Sequence, residues 1–132
     1  MKNIILEANN IKKCYDKEHV LNIENIKIYE AAFNFLIGPN GSGKTTLLNI
    51  LSMVDTDFKG DIIYRGQKVK KDKVDALKLR RKFSVIWQNP YLFKGTIAHN
   101  IGLPLKLRQV KTKEIEKKVK ISQKYFSFEL EK

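Results

Sequence analysis

Cysteine is nearly missing from this chain. Cys14 stands alone in 132 residues, which excludes an internal disulfide framework and any cysteine-based zinc site. No long apolar run occurs, so no segment reads as a membrane-spanning helix. The opening residues, Met1-Lys2-Asn3-Ile4-Ile5-Leu6-Glu7, lack the apolar stretch and small-residue cleavage site of a secretory signal, and a cytosolic chain is the expectation. Arginine is scarce too, at 4 of 26 basic residues. The whole net charge of +12 falls after residue 67, where 18 Lys+Arg face 6 Asp+Glu. A basic half suits nucleic acid or an anionic membrane surface. Base-edge and stacked recognition favours Arg, however, so a Lys-rich solvated surface is the preferred reading and no nucleic acid is expected. What is there is globular: 42% hydrophobic and 30% charged residues, in a length that makes one domain or part of one.

The first third is strand-like. Residues 4–11 form a β-rich run with apolar residues on both faces, and residues 20–29 alternate from Leu21 to Ile23 and from Ile26 to Ile28. Phe33–Ile37 is a short apolar run ending at Gly38, as a buried strand would. Thr46–Leu51 reads as a helix buried on most sides. Ile62–Tyr64 reads as a strand between Gly60-Asp61 and Arg65-Gly66. Val74–Lys82 reads as an exposed helix turning Val74, Leu77 and either Leu79 or Arg81 inward. Phe83–Trp87 reads as a strand stopping at Gln88-Asn89-Pro90. Thr96–Leu107 is helical but broken by Gly102 and Pro104. Thr112 is the expected N-cap of a last helix with Ile115 and Val119 on one face, a register lost after Ser122.

Gly38-Pro39-Asn40-Gly41-Ser42-Gly43-Lys44-Thr45 fits the pattern G-x-x-x-x-G-K-[ST] at every fixed position. The glycines permit positive φ and close backbone approach, so that successive N–H groups turn inward as an anion nest. Lys44 would reach the β- and γ-phosphates and the Thr45 hydroxyl would ligate Mg2+. The helix that follows adds its N-terminal dipole. A strand before and a helix after complete the context that the motif requires.

Extended through Thr46-Leu47-Leu48, this segment resembles the Walker A segment of ATP-binding-cassette (ABC) ATPases almost letter for letter. The resemblance spans residues 4 to about 119. It implies an α/β, P-loop NTPase core of ABC type with an antiparallel β subdomain at its N-terminus. It also implies MgATP as the ligand and ATP hydrolysis as the family's activity. In those terms the antiparallel part covers about 3–37 and 61–65, the P-loop 38–45, and the Q-loop strand and loop 83–93. Tyr15 sits where that family stacks an aromatic on adenine; packing of a strand-end tyrosine on the sheet is the alternative. Phe83–Pro90 looks like the Q-loop, in which Gln88 serves the metal and the attacking water through its amide. Tyr91-Leu92-Phe93 resembles the segment that meets the coupling helix of a transmembrane permease subunit in importers, core packing being the alternative. With Leu103–Arg108, the wording is closest to ATPases of tungstate, molybdate or similar oxyanion importers. A second ATPase subunit and a peripheral position on the cytoplasmic face of the membrane follow from the same resemblance. His19 and His99 match no family position and receive no role, and Asp55 and Asp57 read as a solvated loop.

The family's L-S-G-G-Q signature, Walker B aspartate, catalytic glutamate and switch histidine do not occur in these residues. The expectation is therefore the N-terminal portion of one ABC ATPase domain, truncated or frameshifted, which binds nucleotide weakly and does not turn over. Two other readings remain open: a nucleotide-binding cassette without transport, and an inert fragment. In the family, other strands separate the P-loop strand from the Q-loop strand. Without them, Phe33–Ile37 and Phe83–Trp87 would each keep an unpaired edge, leaving the chain marginal, aggregation-prone or rearranged so that the two pair directly. Glu30-Ala31-Ala32 stands where the family has a glycine turn, and Ala is accommodated there provided φ stays negative.

Overall fold

Apolar residues of the first strand do not keep one parity, and the backbone shows why. The computed structural model describes residues 3–16, 18–86, 88–89 and 91–127. β1 (Ile4–Tyr15) turns Leu6 and Ala8 inward, then Ile11 and Lys13. The phase slips by one residue at Asn9–Asn10, where Asn10 adopts φ 52° and the register against β3 (Lys59–Tyr64) shifts. An extra residue in one strand does this: it bends the strand and returns the later side chains to the inner face. Apolar residues on both faces of residues 4–11 are the trace of that bulge.

The sheet is antiparallel throughout, in the order β2-β1-β3-β4, with β2 at Glu18–Tyr29 and β4 at Gln67–Val69. β3 and β4 are joined by Arg65-Gly66, with φ 48° and 77°, the pair of positive angles that a two-residue hairpin needs to match strand twist. One face of the sheet carries the core. Ile11 and Ile62 meet Leu47, Ile50 and Leu51 of α1 (Lys44–Leu51), joined by Met53 and Phe58 and by Ala76 and Leu79 of α2 (Lys73–Arg80). Each fully buried aliphatic side chain contributes about 1.5–3 kcal/mol relative to exposure.

In α1, Leu48 alone of residues 46–51 is exposed, while Leu47, Ile50 and Leu51 are buried and Thr46 and Asn49 half-buried. Several expectations need correction. In α2 the inward residues are Ala76 and Leu79, while Val74 and Leu77 face solvent. Asp72 sets this phase by capping the helix, accepting from the amides of Val74 and Asp75 at 2.9 Å each. Phe33–Ile37 is not a buried strand. It belongs to no sheet, and Phe33, Phe35 and Ile37 are 94%, 82% and 90% exposed. Phe83–Ile86 is likewise irregular, with Phe83 half-buried edge-on to Tyr64; Trp87 lies outside the described residues. A strand satisfies its amides through neighbours, and among the described residues neither segment has one, nor do they form a strand pair with each other.

Ala31 has φ 51°, in the left-handed region, so the condition on which Ala is accommodated at this turn without strain is not met. The turn is fixed around it by Asn34, whose side chain accepts from Tyr29 N–H and donates to the carbonyls of Tyr29 and Ala32. Ala31→Gly is expected to raise stability by about 0.5–1 kcal/mol, the left-handed penalty less the added freedom of the unfolded chain. A urea midpoint that fails to rise at constant m-value would contradict the strain.

The chain divides into two units, Met1–Val85 and Ile86–Lys132. The second is a helical hairpin of α3 (Ile97–Leu107) and α4 (Thr112–Ser127). Thr96 caps α3, accepting from His99 N–H at 3.1 Å. Gly102 and Pro104 do not break α3, which runs through both. Gly102 is buried where α4 crosses, and a Cβ there would lie 3.3 Å from Ile115 and 3.6 Å from Val119. Ile115 and Val119 do share the inward face, but α4 starts one residue earlier than expected: Thr112 is its first helical residue rather than its cap, and the Lys111 carbonyl accepts from Glu114 and Ile115. The helix also continues to Ser127, past Tyr125, which is exposed.

Candidate nucleotide-binding site

Residues 38–43 are a loop whose shape depends on its glycines. Gly41 and Gly43 have φ 78° and 84°. A Cβ on Gly43 would sit 2.6 Å from Leu21 Cδ2 and 3.2 Å from the Val20 carbonyl, so the third glycine lets the loop press against β2. Gly38 is equally tight, with Ser42 Oγ 2.8 Å from where its Cβ would be. The Ser42 amide donates to the Pro39 carbonyl at 3.3 Å and closes the turn. Pro39, Asn40, Gly41 and Ser42 are all exposed.

α1 opens at Lys44 with Gly43 as N-cap. No side chain caps this end and no acidic residue lies in the first turn, so its amides keep their partial positive charge toward solvent. Lys44 Nζ folds over the loop, donating to the carbonyls of Gly38 at 2.9 Å and Pro39 at 2.6 Å, with Ser42 Oγ at 3.5 Å. These are neutral oxygens, and among the described residues no carboxylate pairs with Lys44. Cation, helix end and left-handed glycines thus converge on one exposed loop, a donor set suited to a polyphosphate. Thr45 is exposed and Thr46 half-buried in the first turn of α1. Beside the loop lies a cleft of about 410 Å³ lined by Leu21, Ile23 and Ile26 of β2 and by Leu36, Gly38 and Lys44.

Tyr15 ends β1 opposite Glu18, 47% exposed. Its hydroxyl donates to Asp55 Oδ2 at 3.1 Å, and Lys13 Nζ lies 4.7 Å from the ring centroid. Lys13 is only 4% exposed and pairs with Asp55 at 2.9 Å and with Asp57 Oδ2 at 3.1 Å, while also donating to the Asp57 carbonyl. Burial alone would push the Lys13 pKa down, but the hydrogen bonds and charges of Asp55 and Asp57 outweigh it and hold the ammonium above its ordinary value. Burial alone would likewise raise Asp55. The hydrogen bond from Lys13, the amide of Asp57, the Lys13 charge and the Tyr15 hydroxyl instead hold its carboxyl below the usual range.

Asp55 is therefore no solvated loop residue but half-buried in an ion pair; Asp57 is the solvated one, with 97% of its side chain exposed. The sequence reading missed Lys13. The signal was the Asn9-Asn10 pair, since a bulge there carries the inward parity from Ala8 to Ile11 and then to Lys13.

Gln88 is exposed and belongs to the second unit, whereas the glycine loop belongs to the first. In that second unit Tyr91, Leu92 and Phe93 are exposed, and Tyr91 packs edge-on to Phe93 at 5.4 Å. Asn100 fixes the segment, accepting from Phe93 N–H at 2.8 Å and donating to its carbonyl at 2.9 Å. Core packing, the alternative reading for these three residues, is not what the structure shows. His19 Nδ1 lies 3.3 Å from Cys14 Sγ on the exposed face.

Among curated proteins, the chain is 38% identical over 114 residues to the tungstate uptake system ATP-binding protein TupC of Peptoclostridium acidaminophilum, covering 86% of this chain and 50% of that one. It is 33% identical over 120 residues to the phosphate import ATP-binding protein PstB 1 of Streptococcus mutans, covering 87% and 48%. The chain thus spans about half the length of the curated relatives it matches. Among solved structures, cbiO1 of Clostridium perfringens, part of the ABC transporter complex cbiONQ, superposes with a TM-score of 0.78 at 22% identity. That match covers 93% of this chain and 50% of the other, and it shows that the two share a fold. The family model for ABC transporters matches residues 21–130, and the chain belongs to that family.

Proposed function

We propose that this chain supplies the nucleotide-binding part of an importer-type ABC ATP-binding subunit. The observation that carries the reading is Lys44, folded over the carbonyls of a left-handed glycine loop at an uncapped helix end, with no carboxylate beside it among the described residues. The amides from Gly41 to Thr45 and the Lys44 ammonium would hold the triphosphate, and Tyr15 its adenine. Thr45 and Gln88 would hold Mg2+, and Gln88 would also orient the attacking water. Mg2+, when bound, neutralises phosphate charge and polarises the terminal phosphoryl group. Lys44 makes phosphate contacts that strengthen as charge builds on the transferring group, which is why it counts with Gln88 among the catalytic candidates.

A transmembrane permease subunit, meeting the chain near Tyr91, Leu92 and Phe93, and a second ATPase subunit would complete the assembly. Its position would be peripheral, on the cytoplasmic face of the membrane. No helix among the described residues is long and apolar enough to cross a membrane. The names of the relatives point to an oxyanion such as tungstate or phosphate as the imported solute.

The test is equilibrium binding of MgATP. Lys44→Ala should lose about 1.5–3 kcal/mol, roughly 10- to 100-fold in Kd, by removing a charge-assisted hydrogen-bond donor. Equal affinity of the two proteins would overturn the assignment.

A further inference from the structure

We propose that Asp55 and Lys13 are positioning residues that hold the Tyr15 ring as a one-sided platform for the nucleobase of a bound nucleoside triphosphate. The inference rests on the proposed nucleotide-binding function and adds to it a support that lies outside the glycine loop.

Tyr15 is fixed at two points. Its hydroxyl is bonded to Asp55 Oδ2 at 3.1 Å, and one ring face is covered by the Lys13 ammonium at 4.7 Å. That ammonium is itself immobile, held by Asp55 and by both the carboxylate and carbonyl of Asp57, at 4% exposure. With one face covered, the 47% exposure of Tyr15 leaves the opposite face to receive a planar base. The ring cannot swing into solvent without breaking its bond to a half-buried carboxylate. A side chain ordered beforehand loses less freedom when a ligand stacks on it, and stacking on an aromatic face is tolerant of base identity.

The spacing suits one ligand reaching both places. Glu18 lies opposite Tyr15 across the hairpin, and two residues further along β2 the Val20 carbonyl lies 3.2 Å from where a Cβ on Gly43 of the glycine loop would stand. Two strand residues span about 7 Å, a distance that a nucleoside triphosphate bridges between base and phosphates.

The experiment compares Mg2+-ATP with Mg2+ and inorganic triphosphate on the full 132-residue chain by calorimetry. Tyr15→Phe keeps the ring and removes only its anchor. Asp55→Ala removes the acceptor. Each is expected to weaken ATP binding about 2- to 10-fold, the freedom of one unanchored side chain, with triphosphate affinity unchanged. The double variant should be no worse than either single, because both cut the same bond. Unchanged ATP affinity in Tyr15→Phe overturns the inference, and this exposed variant decides the matter should Asp55→Ala fail to fold. A loss in Tyr15→Phe with none in Asp55→Ala also overturns it, by showing that the hydroxyl serves the base directly. Equal losses for ATP and triphosphate do the same, since they mean a general structural effect. If neither ligand binds in a Lys44-dependent way, the proposed function falls and takes this inference with it; Lys44-dependent binding that ignores Tyr15 and Asp55 overturns the inference alone.

Discussion

Lys13→Met should lower the stability of the chain by about 3 kcal/mol, at the low end for losing one side of a buried ion pair because Asp55 keeps some contact with water. Against typical stabilities of about 5–15 kcal/mol, that is a large fraction of the total. The loss has two sources. Asp55 is left charged and without its partner, and the Asp57 carbonyl loses a donor. Lys13→Met combined with Asp55→Asn should recover most of it, since the cost lies in the uncompensated charge. The pH dependence follows from the direction of each shift. Asp55 is held below its ordinary 3.8, so its contribution is full above that value and is lost as pH falls through the lower, folded one. Lys13 is held above its ordinary 10.5, so its contribution is full below that value and is lost as pH rises through the higher, folded one. The difference between wild type and Lys13→Met should therefore be flat from about pH 5 to pH 10 and shrink below about pH 4. Urea titrations at these pH values check it. A gap that grows on acidification would show that the ion pair is not its source.

Gly60→Ala is the second large loss expected. Gly60 has φ 101°, and an added Cβ would meet the carbonyl oxygens of Asn10 at 2.4 Å and Asn9 at 2.5 Å. Those oxygens belong to the bulge of β1 and are backbone, so they cannot rotate away as a side chain would. The conformation alone costs about 1–3 kcal/mol, and parting the strands adds to it. A fall of about 10 °C in the thermal midpoint is the expected result. Gly66→Ala is the control, because Gly66 also has positive φ, at 77°, but open space where the Cβ would stand. Its loss should be no more than the conformational cost. Equal losses at the two positions would mean that the close approach of β3 to the bulge is unimportant.

The parts legible in the sequence are those dictated by short-range chemistry. The glycine loop declares itself because left-handed positions and a following lysine leave few other structures. Alternation in residues 20–29 and the Arg65-Gly66 turn work the same way. Phe33–Ile37 and Phe83–Ile86 fail for the opposite reason, since an apolar run specifies a strand only if other strands lie beside it, and that information is not local. Lys13 was hidden by the bulge, which makes parity unreliable after Asn10. In α2 the larger residues Val74 and Leu77 attracted the inward assignment, yet the buried position is held by Ala76, whose small side chain carries little weight in a hydropathy pattern. Gly102 shows the same bias, because a glycine read as a breaker is the point where two helices approach.

The strand order has a consequence for how the chain assembles. β1 meets β2 through a tight hairpin, Tyr15 to Glu18, which forms on a timescale of about 1–10 μs. Its other edge waits for β3, whose pairing of Lys12 with Lys59 closes a segment containing β2, the glycine loop and all of α1. Closure entropy grows only slowly with length, by about 0.6 kcal/mol per doubling, so the long segment is tolerable at equilibrium. Its cost falls on the rate, because the search for a distant partner precedes any contact that rewards it. During synthesis, α1 therefore leaves the ribosome before Ile62, its partner in the core, and the sheet under α1 is complete only when residues 59–64 dock.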